Sequence, residues 1–281
     1  MELFGKIILT KGILYEKSTK ECVVKKALFP SSNCTIEKSL NNVPVTCVWQ
    51  KAFKNANVKS IVLPDTIKFI GPNSFSGTAL KEVKIPALVE TIWNEAFYNC
   101  KNLKKVELPN DCKVIYECAF SSCSNLTEIN LKNVSVIHSS AFADCISLAS
   151  AFLWSASWIS SYSFAGCTNL KAIVIGDSCT EINGSAFKNC INLKTVVMSK
   201  NISDIGGSGL RLGGAEKRLK RENPFLGCSS LKRILYNGSP SEINAEVRDF
   251  ILNKCGIEIY YYSKEPQKGT WCYSETGYII R

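Results

Sequence analysis

Apolar residues in this chain recur with a period of 22 or 23 residues along most of its length. The clearest marker is a phenylalanine that returns at successive spacings of 22, 22, 23, 22, 22, 23 and 38 residues: Phe53, Phe75, Phe97, Phe120, Phe142, Phe164, Phe187 and Phe225. In six copies a cysteine follows three residues after the phenylalanine, and a leucine follows three residues after the cysteine. A fixed period of this length indicates a repeat protein.

Each repeat also contains a short run in which apolar residues alternate with other residues, as at Val106 and Leu108 or at Ile173 and Ile175. Such alternation predicts a strand with one buried face. A unit of this length cannot bury that face by itself, so neighbouring units must stack. The sequence therefore predicts a solenoid with parallel sheet and a continuous core, between α/β and mainly β in class, that is capped at both ends.

The repeat also resembles a known family. The run from Leu80 to Cys100, which includes Pro86 and the pair Ala96-Phe97, keeps the order of apolar residues found in BspA-like leucine-rich repeats, also called type 5. The resemblance extends over roughly residues 33–237. It implies a curved, right-handed solenoid of the leucine-rich-repeat type, without chemistry of its own, that serves as a surface adhesin or partner-binding module.

The chain divides into three predicted regions. Residues 1–32 predict a capping hairpin with strands at Ile13 to Tyr15 and at Cys22 to Val24. The repeats occupy residues 33–238, and the eight phenylalanines indicate about eight repeats. Residues 239–281 predict a C-terminal cap.

That cap should open with a helix over residues 240–255. Ser239 and Glu242 form a capping-box pattern at its start, and Gly256 suits its end. Strands at 257–262, 271–273 and 278–280 should follow the helix.

The 38-residue spacing before Phe225 reveals 15 residues more than the longest regular spacing of 23. This insert lies within residues 206–223 and contains five glycines and a basic run formed by Lys217, Arg218, Lys220 and Arg221. Glycine and charge predict a flexible, solvated loop. Insertions in repeats often emerge on the binding face, so the basic loop is either a second binding element or a loop without function.

The 14 cysteines do not predict a disulfide framework. Eight of them occupy repeat positions that suit a small apolar side chain, and we expect those to be reduced and buried: Cys100, Cys112, Cys123, Cys145, Cys167, Cys179, Cys190 and Cys228. The other six leave pairing open: Cys22, Cys34, Cys47, Cys118, Cys255 and Cys272. Because no C-x-x-C motif occurs, no zinc site is expected.

Catalysis is not expected either. His138 is the only histidine, and it lies at a position that varies from repeat to repeat. No phosphate-binding or dinucleotide-binding glycine motif is complete. The sequence therefore predicts no catalytic residue, no metal ligand and no cofactor, and a hydrolase is the least favoured of the functions considered.

The candidate binding surface is one column of outward strand positions. Four residues after each repeat leucine, this column changes from polar residues to an apolar stripe: Phe152, Val174, Val197 and Leu235. Trp154 and Trp158 belong to the repeat of Phe152. An exposed apolar stripe is typical of a partner site, unless other elements of the chain or a second chain cover it. A flanking column of Trp49, Trp93, Tyr116 and His138 is a weaker aromatic candidate.

These patterns and the family resemblance together predict a non-catalytic, adhesin-type scaffold whose partner is a protein or another host or cell-surface macromolecule. One alternative is a structural module that associates with itself as a homo-oligomer. The net charge of +10 leaves a binder of nucleic acid or of another anionic polymer as a more distant alternative. No membrane span and no secretion signal are visible, so the compartment stays open although the family is often secreted or on the cell surface.

Overall fold

The computed structural model describes residues 6–207, 221–265, 268–274 and 277–280, and for residues 272–280 only the backbone. Each turn of the solenoid contributes a strand to each of two sheets, because each of its two apolar runs turns one side toward the core. Strands of neighbouring turns pair in parallel within each sheet. The predicted solenoid with parallel sheet is therefore confirmed.

The N-terminal cap extends one end of the solenoid. Strand β2 (Ile13–Lys17) pairs antiparallel with β1 (Lys6–Thr10) and with β3 (Cys22–Ala27), so the cap has one strand more than the sequence pattern indicated. Strand β3 continues in parallel onto β6 (Val43–Val48), and β5 (Ser39–Leu40) pairs antiparallel with β6. The cap therefore covers the open edge of the first turn.

The first sheet is formed by the strands that follow the repeat leucine. They are β4 (Asn33–Thr35), β7 (Ser60–Val62), β9 (Glu82–Lys84), β11 (Lys105–Glu107), β13 (Glu128–Ile129), β15 (Ser150–Leu153), β17 (Ala172–Ile175), β19 (Thr195–Met198) and β21 (Arg233–Tyr236). Strand pairing joins β4 to β7, then β9 through β13, then β15 through β21. The ladder is thus interrupted between β7 and β9 and again between β13 and β15.

The second sheet is formed by two-residue strands, and all but the last of them lie five to six residues before a phenylalanine. Beyond β6 they are β8 (Phe69–Ile70), β10 (Thr91–Ile92), β12 (Val114–Ile115), β14 (Val136–Ile137), β16 (Trp158–Ile159), β18 (Glu181–Ile182) and β20 (Asp204–Ile205). Pairing is continuous from β10 to β20. In each of these strands the isoleucine faces the core and the residue before it faces outward.

The phenylalanines form a continuous stack inside the solenoid. Neighbouring rings lie 5.2 to 5.7 Å apart between centroids, and each ring is buried. Each phenylalanine N–H from Phe53 to Phe187 donates to a carbonyl of the next turn, for example Phe97 to Ala119 at 2.8 Å. The residues two before and two after each phenylalanine have positive φ in most turns, for example Glu95 at 54° and Asn99 at 58°. These two left-handed residues bend the chain around the ring.

The C-terminal cap differs from its sequence-based prediction in the helix. The α-helix α1 covers only Ala245–Asp249, and a π-helical segment continues it over Phe250–Cys255. Asn244 rather than Ser239 caps the helix, since its side chain accepts from the N–H groups of Glu246 and Val247. Glu242 instead accepts from the Ser239 N–H at 2.7 Å within a preceding turn. Gly256, at a φ of 67°, ends the helical segment.

Three further strands complete the cap: β22 (Glu258–Tyr262), β23 (Thr270–Ser274) and β24 (Gly277–Ile280). β22 pairs in parallel with β21 and with β23, so the cap lengthens the first sheet. β23 and β24 form an antiparallel pair at its end.

Candidate protein-interaction face

The outward column of the first sheet brings together the residues of the predicted stripe. Strand register aligns Phe152 with Val174, Val174 with Val197, and Val197 with Leu235. Phe152 is 50% exposed and Val174 is half-buried, whereas Val197 and Leu235 are buried. The column is therefore open at one end only.

The expected exposure of Val197 and Leu235 is wrong because the C-terminal cap covers them. Trp271 is fully buried and forms with these two residues a small cluster separate from the main core. Its indole Nε1–H donates to the carbonyl of Tyr236 at 2.9 Å, and Tyr262 packs edge-on against its ring at 5.4 Å. The sequence placed Trp271 in a cap but contained no signal that its side chain reaches the stripe.

The two tryptophans of the Phe152 turn are separated by the fold. Trp154 directly follows β15 and is 43% exposed, and a Cβ at Gly176 of the next turn would collide with its backbone. Trp158 begins β16 and therefore lies in the second sheet. The open part of the apolar stripe thus consists of Phe152 and Val174 on the first sheet, with Trp154 at the strand end.

A groove of about 490 Å³ adjoins Phe152 on the same face. The chain segments around β11, β13 and β15 line it, and its polar side chains are Lys105, Glu107, Thr127, Glu128, Asn130 and Ser150. A second groove of about 350 Å³ lies at β7 and β9, and Lys105 and Glu107 line both. Sequence reasoning missed these grooves, since the repeat period alone does not report where the pairing of neighbouring strands is interrupted.

The polar half of the face carries charges of both signs. Lys105 and Glu107 form an ion pair at 2.9 Å. This hydrogen-bonded pair lowers the pKa of the Glu107 carboxyl and raises the pKa of Lys105, which Glu128 and Glu82 raise further. Glu128 and Glu82 themselves form no ion pair within the described chain.

The aromatic column on the second sheet forms a stack. The Trp93 and Tyr116 rings lie 4.9 Å apart and the Tyr116 and His138 rings 4.6 Å apart, both nearly parallel. Phe69 packs on Trp93 with ring centroids 5.6 Å apart and the rings tilted by 48°, because Gly71 leaves its own position in the column empty. Burial lowers the pKa of the half-buried His138, an effect that the nearby Glu117 opposes. Because these ring faces contact one another, Trp93, Tyr116 and His138 serve packing. Trp49 of the predicted column is 41% exposed, and the Lys25 ammonium lies 4.7 Å from its ring centroid.

The basic insert falls largely outside the described residues, which exclude Lys217, Arg218 and Lys220. Arg221 lies at its base and contacts Asp204 of β20 at 3.3 Å and Glu246 of α1 at 3.2 Å. Of the four predicted basic contacts, Arg221 is therefore already engaged within the chain.

The cysteines line the interior rather than a site. All the thiols that the structure describes are free of disulfide bonds, and Cys272 lies outside the described side chains. Burial raises the pKa of most of them, for example of Cys112 and Cys167 to about 12. Within the described part of the chain, no group of three or more His, Cys, Asp or Glu residues has metal-binding geometry.

Each turn has two short strands, and the turns stack around a continuous row of phenylalanines. This arrangement is that of a leucine-rich repeat protein. The chain belongs to the family described as the BspA type leucine rich repeat region, whose sequence pattern matches in six copies over residues 46–157 and 154–211. The family predicted from the residues is therefore confirmed.

The solved structures that are similar to this chain include several from bacterial proteins. A leucine-rich repeat protein from Bacteroides ovatus is 24% identical with a TM-score of 0.59, and the match covers 82% of this chain and 61% of that one. The T. pallidum leucine rich repeat protein is 19% identical over 90% of this chain and 98% of that one, with a TM-score of 0.43. The pneumococcal vaccine antigen PcpA is 16% identical over 93% and 94%, also with a TM-score of 0.43.

A search of curated proteins finds no match. Among the described residues, every helix is too short or too polar to cross a lipid bilayer.

Proposed function

We propose that this chain is a non-catalytic interaction scaffold that binds a protein partner on the outward face of the first sheet. The binding surface consists of Phe152, Val174 and Trp154 together with the adjoining groove. The observation that carries the proposal is Phe152, which is 50% exposed on a regular strand while Val197 and Leu235 of the same column are covered by the chain itself. An exposed aromatic side chain beside a polar rim is typical of a binding hot spot.

Self-association through the same residues is the second candidate function. Every copy of the chain exposes the same apolar stripe, and two such stripes can bury each other. Light-scattering mass measured across protein concentration tests it with wild type and with the double variant Phe152→Asp, Val174→Lys. A wild-type dimer and a folded monomeric variant would make the stripe a self-association surface. Monomers in both cases leave the stripe free for a different partner.

Binding of nucleic acid or another anionic polymer has weaker support. Around the grooves, three carboxylates (Glu82, Glu107 and Glu128) face two lysines (Lys84 and Lys105), a local balance of −1 in a chain of net charge +10. This face would repel an anionic polymer. Lys217, Arg218 and Lys220 are left as the candidate basic contacts, and salt-sensitive binding lost on their replacement would support them.

Exposure at the cell surface or secretion is proposed from the family alone. Labelling of intact cells that express the chain with a membrane-impermeant lysine reagent tests this location. Labelling only after lysis would contradict it.

The partner is identified by replacing Phe152 with the photo-crosslinking analogue benzoyl-phenylalanine in cells that normally make the protein. Affinity for the purified crosslinked protein is then measured, and Phe152→Asp with Val174→Lys should weaken it at least about tenfold. Ile191→Asp with Leu226→Lys is the matched control, since these exposed apolar residues lie in turns outside the sheet. Equal weakening by both pairs of substitutions would defeat the proposal.

A further inference from the structure

The two grooves of the first sheet coincide with the two interruptions of its ladder. One groove is lined by β7 and β9, which are not paired as strands, and the other by β13 and β15, which are not paired either. At each interruption, the facing edges of two neighbouring strands have no ladder pairing. The larger groove, between β13 and β15, also contains the exposed Phe152.

The larger groove extends over β11, β13 and β15, and the edges of β13 and β15 within it face each other. β13 is paired on one side with β11, and β15 is paired on one side with β17. Their facing sides have no strand partner anywhere in the described part of the chain. An unpaired edge presents a row of backbone N–H and C=O groups, which an added extended strand satisfies best.

The side chains of this groove select against anions. Lys105 is neutralised by Glu107, with their charged atoms 2.9 Å apart. Glu128 is exposed and has no ion-pair partner within the described residues. The groove therefore has one uncompensated negative charge beside one exposed aromatic side chain.

We infer that the groove between β13 and β15 binds an extended, basic peptide segment of a partner protein. The segment pairs its backbone with the free edge of β15, packs an apolar side chain on Phe152 and places a Lys or Arg side chain opposite Glu128. Four residues span about 13 Å of extended chain, so the four-residue β15 accommodates a segment of similar length. This inference rests on the proposed function and specifies the chemistry of the partner.

A phage-displayed library of random dodecapeptides, selected on wild-type protein and counter-selected on Phe152→Asp with Glu128→Lys, tests the inference. The enriched peptides should combine Lys or Arg with an aromatic or branched apolar residue. A synthetic copy of the best peptide then measures affinity, and Phe152→Asp or Glu128→Lys should each raise its Kd at least about tenfold. Glu90→Lys is the control for charge, because Glu90 is exposed and lies outside the first sheet.

N-methylation of alternate backbone nitrogens of the synthetic peptide tests the edge pairing. Methylation in one register should weaken binding about tenfold and in the other register leave it nearly unchanged, because alternate N–H groups of a strand face opposite sides. Selections that enrich acidic peptides or nothing beyond the counter-selected pool would overturn the inference, as would equal affinity of both methylated forms.

The outcomes separate this inference from the proposed function. If the partner crosslinked at position 152 binds wild type but the library yields no basic segment, the extended-peptide mode is wrong and the interaction scaffold stands. If the crosslinked protein binds Phe152→Asp with Val174→Lys as tightly as wild type, the proposed function is wrong as well.

Discussion

At the scale of single residues, the repeat cysteine has a role that its apolar position alone does not explain. In each of six turns the thiol donates to the carbonyl of the phenylalanine in the preceding turn, at Sγ to O distances of 3.0 to 3.2 Å. Thr78 takes the cysteine position in an earlier turn, and its hydroxyl donates to the Phe75 carbonyl of its own turn at 2.8 Å. Cysteine is small and apolar yet carries one weak donor, so it fits this buried position.

Buried thiols make the stability of the protein sensitive to alkali. Burial raises the pKa of Cys112 and of Cys179 from 9.0 to about 12. Above pH 9 the unfolded chain loses these protons while the folded chain keeps them, so each thiol favours unfolding by up to about 1.4 kcal/mol per pH unit. We expect the free energy of unfolding, measured with urea, to lose this contribution between pH 9 and 12.

The variant Cys112→Val, Cys179→Val isolates this effect, because Val89 and Val134 occupy the same position in other turns. Above pH 9 its free energy of unfolding should fall less steeply with pH than that of wild type. Near neutral pH the free energies of the two proteins should depend on pH equally. If the free energies of unfolding of the two proteins depend on pH equally from neutral pH to pH 12, the two buried thiols do not cause the loss of stability.

A buried serine without a partner is a second residue-scale feature. Ser163 is fully buried and its hydroxyl forms no hydrogen bond, whereas other turns have alanine there, as at Ala141 and Ala186. Removing an unsatisfied buried hydroxyl should stabilise the fold, so Ser163→Ala should raise the free energy of unfolding by about 1 kcal/mol. Chemical denaturation measures the change.

Ser199→Ala is the matched control. Ser199 is equally buried, but its hydroxyl donates to the carbonyl of Cys179 at 2.8 Å. Its removal should therefore destabilise the protein by about 1 kcal/mol. Loss of stability in both variants would refute the distinction between a satisfied and an unsatisfied hydroxyl.

At the scale of an element, each turn is held by its phenylalanine and by the rings on both sides. Phe142 stacks at 5.4 Å on Phe120 and at 5.2 Å on Phe164. We expect Phe142→Ala to cost about 3 to 5 kcal/mol, from lost transfer free energy and from the cavity left in the stack. Phe142→Leu retains apolar volume and should cost distinctly less.

The same substitution should loosen neighbouring turns, since a repeat is stabilised mainly by its neighbours. Amide hydrogen exchange is the measurement, with lower protection expected near Phe120 and Phe164 as well as near residue 142. Lower protection confined to the substituted turn, or a melting midpoint within about one degree of wild type, would refute the stacking role.

At the scale of the whole molecule, the C-terminal cap sets the extent of the apolar stripe. Trp271 covers Val197 and Leu235 together with Tyr260 and Tyr262, and its removal would expose more of the stripe that begins at Phe152. A longer exposed apolar surface promotes association. We expect Trp271→Ala to shift the light-scattering mass upward with protein concentration and to increase binding of an apolar dye.

Trp154→Ala is the control, because Trp154 is itself 43% exposed. It should not increase association. Adding Phe152→Asp to Trp271→Ala should reverse the association. A strictly monomeric Trp271→Ala protein without added dye binding would show that the cap does not limit the stripe.

Most of the fold was predictable from particular residues, whereas the open surface was not. The positions of Phe142, Cys145 and Leu148 relative to one another recur in six turns, and the structure buries all three. The predicted helix start at residue 240 failed because the Ser239 and Glu242 contact closes a local turn, while Asn244 has the geometry that caps a helix. Local capping patterns are short and compete with one another.

By itself the sequence determined which residues are inside and how the turns stack. Each turn contacts chiefly its two neighbours, so one period in the sequence is repeated as one period in space. Only the tertiary structure decided which outward residues remain available. The cover over Val197 and Leu235 comes from Trp271, far along the chain, and the groove beside Phe152 lies where β13 and β15 are not paired. The cover and the groove both depend on how particular segments pack against one another. The repeat period in the sequence does not specify that packing.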